Sequence, residues 1–316
     1  MISRRLLRIK VLQVLYAYYT SENKDIKLSE KELFFSIDKA YELYHFLLLL
    51  IIEVADYAES RIDLARNKRI PTHEDLNPNT RFIDNRLIHQ LRDSTDLNSY
   101  QRKTKISWVN YPEFIKEIYH ATTQASFYKD FMIGDEYAYA QDKKIVSRIY
   151  SDIILPSESL SQILEDKSIY WNDDLDFIMT MVLKTIKKIK EADHENLDLP
   201  ELYKNEEDRE FVQKLFRKSV VHRDLSLDLI REKASNWDLE RIAFMDILIM
   251  QMAITEMIEF SSIPTKVTLN EFLEIAKYYS TEKSNSFING VLDKIMIKLK
   301  DEKKIKKAGR GLIGEQ

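Results

Sequence analysis

Apolar side chains recur along this chain at helical spacing. In the first twenty residues Leu7, Val11, Val14 and Tyr18 fall on one stripe, and no glycine or proline interrupts Ser3 to Tyr19. Lys31 to about Arg66 is likewise free of breakers and strongly apolar in its middle, which predicts a long helix ending before Pro71 and Pro78. Between roughly 67 and 205 shorter helical stretches are punctuated by Pro112, Gly134, Pro156 and Pro200. The clearest of them runs from Asn172 to Ile189, where Leu175, Ile178, Met179, Val182, Leu183 and Ile186 form an amphipathic stripe. The last third predicts helices over Glu206–Lys233 and Leu239–Phe260, one starting at Thr268, and one opening near Thr281 with Phe287, Val291, Ile295 and Leu299 four apart. Thr268-Leu-Asn-Glu271 reads as a capping box, with the hydroxyl accepting a backbone N–H and the glutamate reaching back. No alternating run bounded by turn residues is present, and no fixed-period repeat marks a solenoid. The expected fold class is all-α.

Composition narrows the chemistry. The 316 residues include five glycines and no cysteine, and Gly134 is the only glycine before Gly290. Phosphate-cradling loops need glycine where backbone approaches the ligand closely, so a Walker loop, a dinucleotide fingerprint and a kinase glycine loop are excluded. Gly309-Arg-Gly311-Leu-Ile-Gly314 matches G-x-G-x-x-G formally, but it follows no strand and precedes no helix. Without cysteine there is no disulfide framework, thiolate metal site or cysteine nucleophile. The six histidines show no paired ligand spacing, so neither metal nor cofactor is expected, and no enzyme. No segment reads as a signal peptide or a membrane span of about 20 apolar residues, and a soluble cytoplasmic protein is expected.

The net charge of −4 is unevenly spread. Residues 1–10 hold four basic side chains and no acid, and residues 294–310 hold eight against Asp301 and Glu302, so both ends are basic and the middle is acidic. Such ends are candidate footprints for a phosphate backbone, against the plainer reading of a solvated lysine tail.

Both ends also resemble one family. Arg4-Arg5-Leu-Leu-Arg8 followed by Leu12-Gln13-Val14-Leu15-Tyr16-Ala17 looks like the first helix of NusB, a bacterial transcription antitermination factor. The C-terminal blocks are Trp237-Asp-Leu-Glu-Arg-Ile242, Ile263-Pro264-Thr-Lys266-Val-Thr268-Leu-Asn-Glu271, Glu274-Ile-Ala-Lys277 and Ser284-Asn-Ser-Phe287-Ile-Asn289-Gly290-Val-Leu-Asp293-Lys294, in family order and spacing. The resemblance covers about 1–66 and 206–297. It implies a non-enzymatic pair of helical bundles that joins ribosomal protein NusE, binds the boxA segment of nascent RNA as a single strand, and enters an antitermination complex on RNA polymerase at ribosomal RNA operons. Arg4, Arg5 and Arg8 map onto its RNA surface, where planar guanidinium forks grip phosphate and stack on bases. Gln13, Lys266, Lys283 and Phe287 are further RNA candidates, and Tyr16 a partner contact. Trp237, Pro264, Thr268, Glu271, Asn289, Gly290 and Asp293 read as structural: Pro264 ends one helix, mid-helix Gly290 suggests close backbone packing, and Asn289 and Asp293 sit one turn apart to tie helix ends.

The chain departs from the family pattern. About 140 residues, 67–205, are inserted between the N-terminal helices (1–66) and the C-terminal bundle (206–300), and a basic, flexible tail is expected over 301–316. Arginines common in the family are Ile247 and Gln251 here, and a lysine is Ser286. The insertion, with Trp108 and Trp171, is too aromatic for a linker, and its Asn172 is the expected cap of the following helix. Two rivals follow. An RNA cytosine methyltransferase fails for want of a cofactor loop and a cysteine, whereas a helical interaction scaffold that has lost RNA recognition stays open.

Overall fold

A computed structural model describes residues 4–22, 24–203, 206–234 and 242–313. Every regular element among them is helical, as the spacing predicts. The chain divides into two compact units, one formed by 38–202 and the other by the described residues of 2–37 and 203–316. The boundary therefore falls inside the long second helix, not at its end near residue 66 where the breakers suggested it.

The first helix is α1 (Arg4–Thr20) and the second α2 (Ile26–Arg66). The 38–202 unit holds the later part of α2 and then α3 (His73–Leu76), α4 (Arg86–Asp93), α5 (Thr95–Thr104), α6 (Pro112–Gln124), α7 (Ser126–Ile133), α8 (Tyr139–Arg148), α9 (Glu158–Lys167) and α10 (Leu175–Lys188). Aromatic rings organise its core along α2. Phe46 stacks on Trp108 with centroids 3.8 Å apart and lies 5.5 Å from Trp171. Each indole N–H donates to a carbonyl of α2, Trp108 to Phe46 at 2.7 Å and Trp171 to Lys39 at 2.8 Å. The Tyr150 hydroxyl donates to Leu47 at 2.7 Å. These large side chains bury freely because each finds an acceptor for its polar tip. Asn172 is not the cap of α10; that helix starts at Leu175, with Asp174 at the cap position and no side-chain cap bond. Three arginines of this unit are held by partners within it. Arg81 donates to the carbonyls of Gly134 and Glu136, Arg86 pairs with Asp142, and Arg92 with Asp56.

The other unit is α1, the start of α2, and α11 (Glu206–Val221), α12 (Arg223–Lys233), α13 (Phe244–Glu259), α14 (Thr265–Tyr279) and α15 (Glu282–Asp301). Glu206–Lys233, read as one helix, is broken at His222. The two apolar helices α1 and α13 sit at the centre. Leu7, Val11, Val14 and Tyr18 are buried as expected, but so are Leu6, Ile9, Leu12 and Leu15, so α1 is enclosed rather than laid on a surface. It packs against α11, α13 and α14. The described part of α13 begins at Phe244, later than the Leu239 expected, and Trp237 lies outside the described residues.

Four local expectations are corrected. The α14 helix starts at Thr265, directly after Pro264, so Thr268 lies inside it and cannot cap it; the proline fixes the start three residues earlier. Gly290 is exposed, and a β-carbon added there would meet nothing within 4 Å, so no backbone packs on it. Asn289 and Asp293 are half-buried on α15, and neither side chain makes a hydrogen bond among the described residues. The basic C-terminal segment expected to be loose turns back onto the bundle. Ala308 N–H donates to Ser261 at 3.0 Å, Lys307 Nζ to Phe260 at 2.9 Å, and a short helical turn, Gly309–Leu312, follows.

Candidate nucleic-acid interface

The arginines of α1 meet three helices, and their environments differ sharply. Arg8 is 2% exposed, and its Nε and Nη2 donate to both oxygens of Glu256, itself 0% exposed, at 2.7 and 2.8 Å. The hydroxyl of Thr268 donates to the same carboxylate at 2.8 Å, and Glu271 lies 3.6 Å from the guanidinium. This is a buried, bidentate tie from α1 to α13 and α14. A phosphate cannot reach Arg8 without opening the bundle, so Arg8 positions α1 and does not present itself to RNA.

Arg5 and Arg4 stay nearer solvent. Arg5 forks onto Glu271 at 2.8 and 3.1 Å, with Glu274 at 3.8 Å, and its side chain is 32% exposed. The hydrogen bonds to Glu271 hold its pKa above the ordinary arginine value against the opposing effect of burial. Arg4 donates from Nε to Asp208 at 2.8 Å, and its side chain is 38% exposed. The carboxylates of Asp208, Glu256, Glu271 and Glu274 match the three guanidiniums, so this end of α1 offers oriented donors more than surplus charge.

Further along α1, Gln13 donates to the Tyr279 hydroxyl at 3.1 Å. Tyr16 leans on Phe244 with centroids 5.7 Å apart and keeps 43% of its surface open. Arg4, Arg5, Arg8 and Gln13 are thus gathered along α1 by α11, α13 and α14. Lys266 lies exposed in the first turn of α14, and Lys283 (exposed) and Phe287 (half-buried) lie at the start of α15, which packs on α12, α13 and α14.

Two clusters went unread in the sequence. Gln251, in place of a family arginine, is a buried hub whose amide donates to Ser219 at 2.6 Å and Tyr19 at 3.0 Å and accepts from Arg223 at 3.2 Å. Arg223 lies 3.8 Å over the Tyr19 ring, so a guanidinium is supplied here from α12 instead. Ile247, the other replaced arginine, is simply core. The second cluster sits at the carboxy end of α13, where Lys214, Lys218 and His222 surround Glu259 at 3.3, 3.1 and 2.8 Å. Burial alone would raise the Glu259 pKa, but these three partners overcome it and hold the group at about 2. The signal was available in part, since Lys214 and Lys218 share one face of α11 and His222 follows at the same four-residue step just past its end. Among the described residues no group of three potential ligands is placed to hold a metal ion, and no helix is long and apolar enough to cross a membrane.

Comparison with known proteins bears on the same helices. The NusB family model matches residues 178–297, from α10 to α15; the match begins inside the stretch read as an insertion and does not extend to α1. No solved structure matches. Among curated relatives, the transcription antitermination protein NusB of Salinibacter ruber (strain DSM 13855 / M31) is 42% identical over 106 residues, 34% of this chain and 66% of its own length. That of Chloroherpeton thalassium (strain ATCC 35110 / GB-78) is 41% identical over 106 residues, 33% of this chain and 50% of the relative. That of Dictyoglomus turgidum (strain DSM 6724 / Z-1310) is 41% identical over 96 residues, 30% of this chain and 67% of the relative. The matched segment thus spans half to two thirds of each relative. Identity of this level over a helical bundle whose packing depends on the matched residues shows that the chain belongs to the NusB family.

Proposed function

We propose that this protein is a non-catalytic RNA-binding adaptor of transcription antitermination, pairing with ribosomal protein NusE and holding a single-stranded, boxA-type segment of nascent RNA within an antitermination complex on RNA polymerase. Ribosomal RNA operons are the natural targets of such an adaptor, and the cytoplasm is where it would act. One observation carries the reading: Arg4 and Arg5 present two half-exposed guanidinium forks at one end of α1, held in place by the buried Arg8–Glu256 tie, on a bundle whose relatives are named antitermination proteins. Planar forks suit both phosphate oxygens and unstacked bases. Tyr16, open on the same helix, is the contact we assign to NusE.

The test is fluorescence anisotropy of a short boxA-containing RNA, with and without NusE, at two salt concentrations. Binding that strengthens with NusE and weakens with salt is expected. Arg4→Ala with Arg5→Ala should weaken it by about tenfold, the scale of one lost charge-assisted hydrogen bond. Absence of salt-sensitive binding by the folded protein, with NusE present, would favour the interaction scaffold, a reading that the loss of arginine at Ile247 and Gln251 keeps in view.

A further inference from the structure

The arginine end of α1 is neutralised by its own carboxylates, yet RNA binding needs cations that phosphate can claim. Such a surplus lies next to it in the same unit. From Arg4 the path runs over the Phe211 ring (5.2 Å) to Phe260, 5.0 Å from Phe211, and then to Lys214, whose ammonium lies 5.0 Å from the Phe260 ring. Lys214, Lys218 and His222 gather around Glu259, the residue before Phe260, as the acid they share. The C-terminal segment is docked on the same spot, with Lys307 donating to the Phe260 carbonyl and Ala308 to Ser261. Lys303, Lys306 and Arg310 are exposed beside these anchors.

We propose that the docked C-terminal segment and the lysine face of α11 form a second, sequence-independent track for the phosphates of single-stranded RNA, continuing from Arg4 past the carboxy end of α13. The proposal rests on the RNA-adaptor reading above and assigns it the RNA flanking the recognised segment. Three features favour this occupant. The basic residues of 294–310 outnumber the acids by eight to two, so a polyanion is the complementary partner. The cations are held in place by backbone anchors, which lowers the ordering cost of binding. The anchor itself demands a glycine: a β-carbon on Gly311 would stand 1.9 Å from the Ser261 carbonyl oxygen, so any other residue forces the segment away.

The experiment uses the full chain with NusE and two labelled RNAs, a short boxA RNA and the same RNA extended by ten uridines. With the intact protein, the extended RNA is expected to bind about tenfold more tightly at low salt and to show a salt slope steeper by about 2, since each single-strand phosphate contact adds roughly 0.7. Lys303→Gln with Lys306→Gln and Arg310→Gln should erase that gain and leave short-RNA affinity unchanged. Gly311→Val keeps every charge but cannot dock, and should lose most of the gain as well. Equal affinity of the intact protein for both RNAs, or a gain that survives the triple substitution, overturns the track. A gain lost in the triple variant but kept in Gly311→Val overturns the docked arrangement. Failure of the intact, folded protein to bind either RNA overturns the adaptor reading beneath it, a result distinct from equal binding of both.

Discussion

Arg8 and Arg4 are one helical turn apart and carry the same charge, yet the bundle treats them oppositely. Removing the Arg8 guanidinium leaves the Glu256 carboxyl buried and without its bidentate partner, so Arg8→Ala should cost about 3–5 kcal/mol in chemical denaturation. Arg4→Ala should cost less, about 1–2 kcal/mol, because the Arg4 side chain stays partly in solvent although its partner Asp208 is buried. A triple alanine variant of Arg4, Arg5 and Arg8 would therefore confuse loss of fold with loss of binding; the double variant avoids this. His45 offers a second test at this scale. It is buried, stacks on Tyr100 at 3.8 Å, and its Nδ1 lies 2.8 Å from the Tyr41 carbonyl oxygen. Burial lowers its pKa from 6.5 to about 4. Between these values the unfolded ring takes a proton that the folded ring refuses, so stability should fall as pH drops from 6.5 toward 4. Glu259 acts lower down: with its pKa depressed from 4.5 to about 2, its contribution is complete above 4.5 and lost as pH falls toward 2. Urea titrations at stepped pH should show His45→Phe flattening the first decline and Glu259→Gln the second.

At the scale of elements, α15 gives the simplest prediction. Gly290 is exposed with open space where a β-carbon would go, so Gly290→Ala should raise stability by up to about 1 kcal/mol and raise the thermal midpoint. A lower midpoint would contradict the open space at this position. The same helix shows what periodicity conveys: Val291, Ile295 and Leu299 are buried as their spacing requires, and Thr281 accepts from Ser284 N–H at 3.2 Å as its cap. Helix existence was legible because it depends on local spacing. The ends were less so. Thr268 has the spacing of a capping box, but Pro264 had already set the start of α14, and the hydroxyl and Glu271 were taken up by Glu256 and Arg5. The three arginines looked equivalent for the same reason, since their separation depends on acids 200 or more residues away in the chain. One clue was present: Glu256 stands in a predominantly apolar helix, and a buried acid calls for a cation.

For the molecule as a whole, two compact units share the single 41-residue helix α2. The RNA candidates belong to one unit and the tryptophan core to the other, so damage to the second should be separable from binding. Trp108→Ala removes the stack on Phe46 and its hydrogen bond, and should destabilise the 38–202 unit by about 3–5 kcal/mol. Near-ultraviolet circular dichroism would report that loss while anisotropy shows short-RNA affinity unchanged; a parallel loss of affinity would make the insertion part of the binding surface. The Arg8–Glu256 pair has a thermal consequence as well. Hydration of ions weakens on warming, so the penalty for keeping this pair dry shrinks as temperature rises, whereas apolar burial gains little more per unit area. The seam joining α1 to α13 thus strengthens relative to the rest of the bundle on heating, and amides of α1 should be among the last to exchange with solvent as the midpoint is approached.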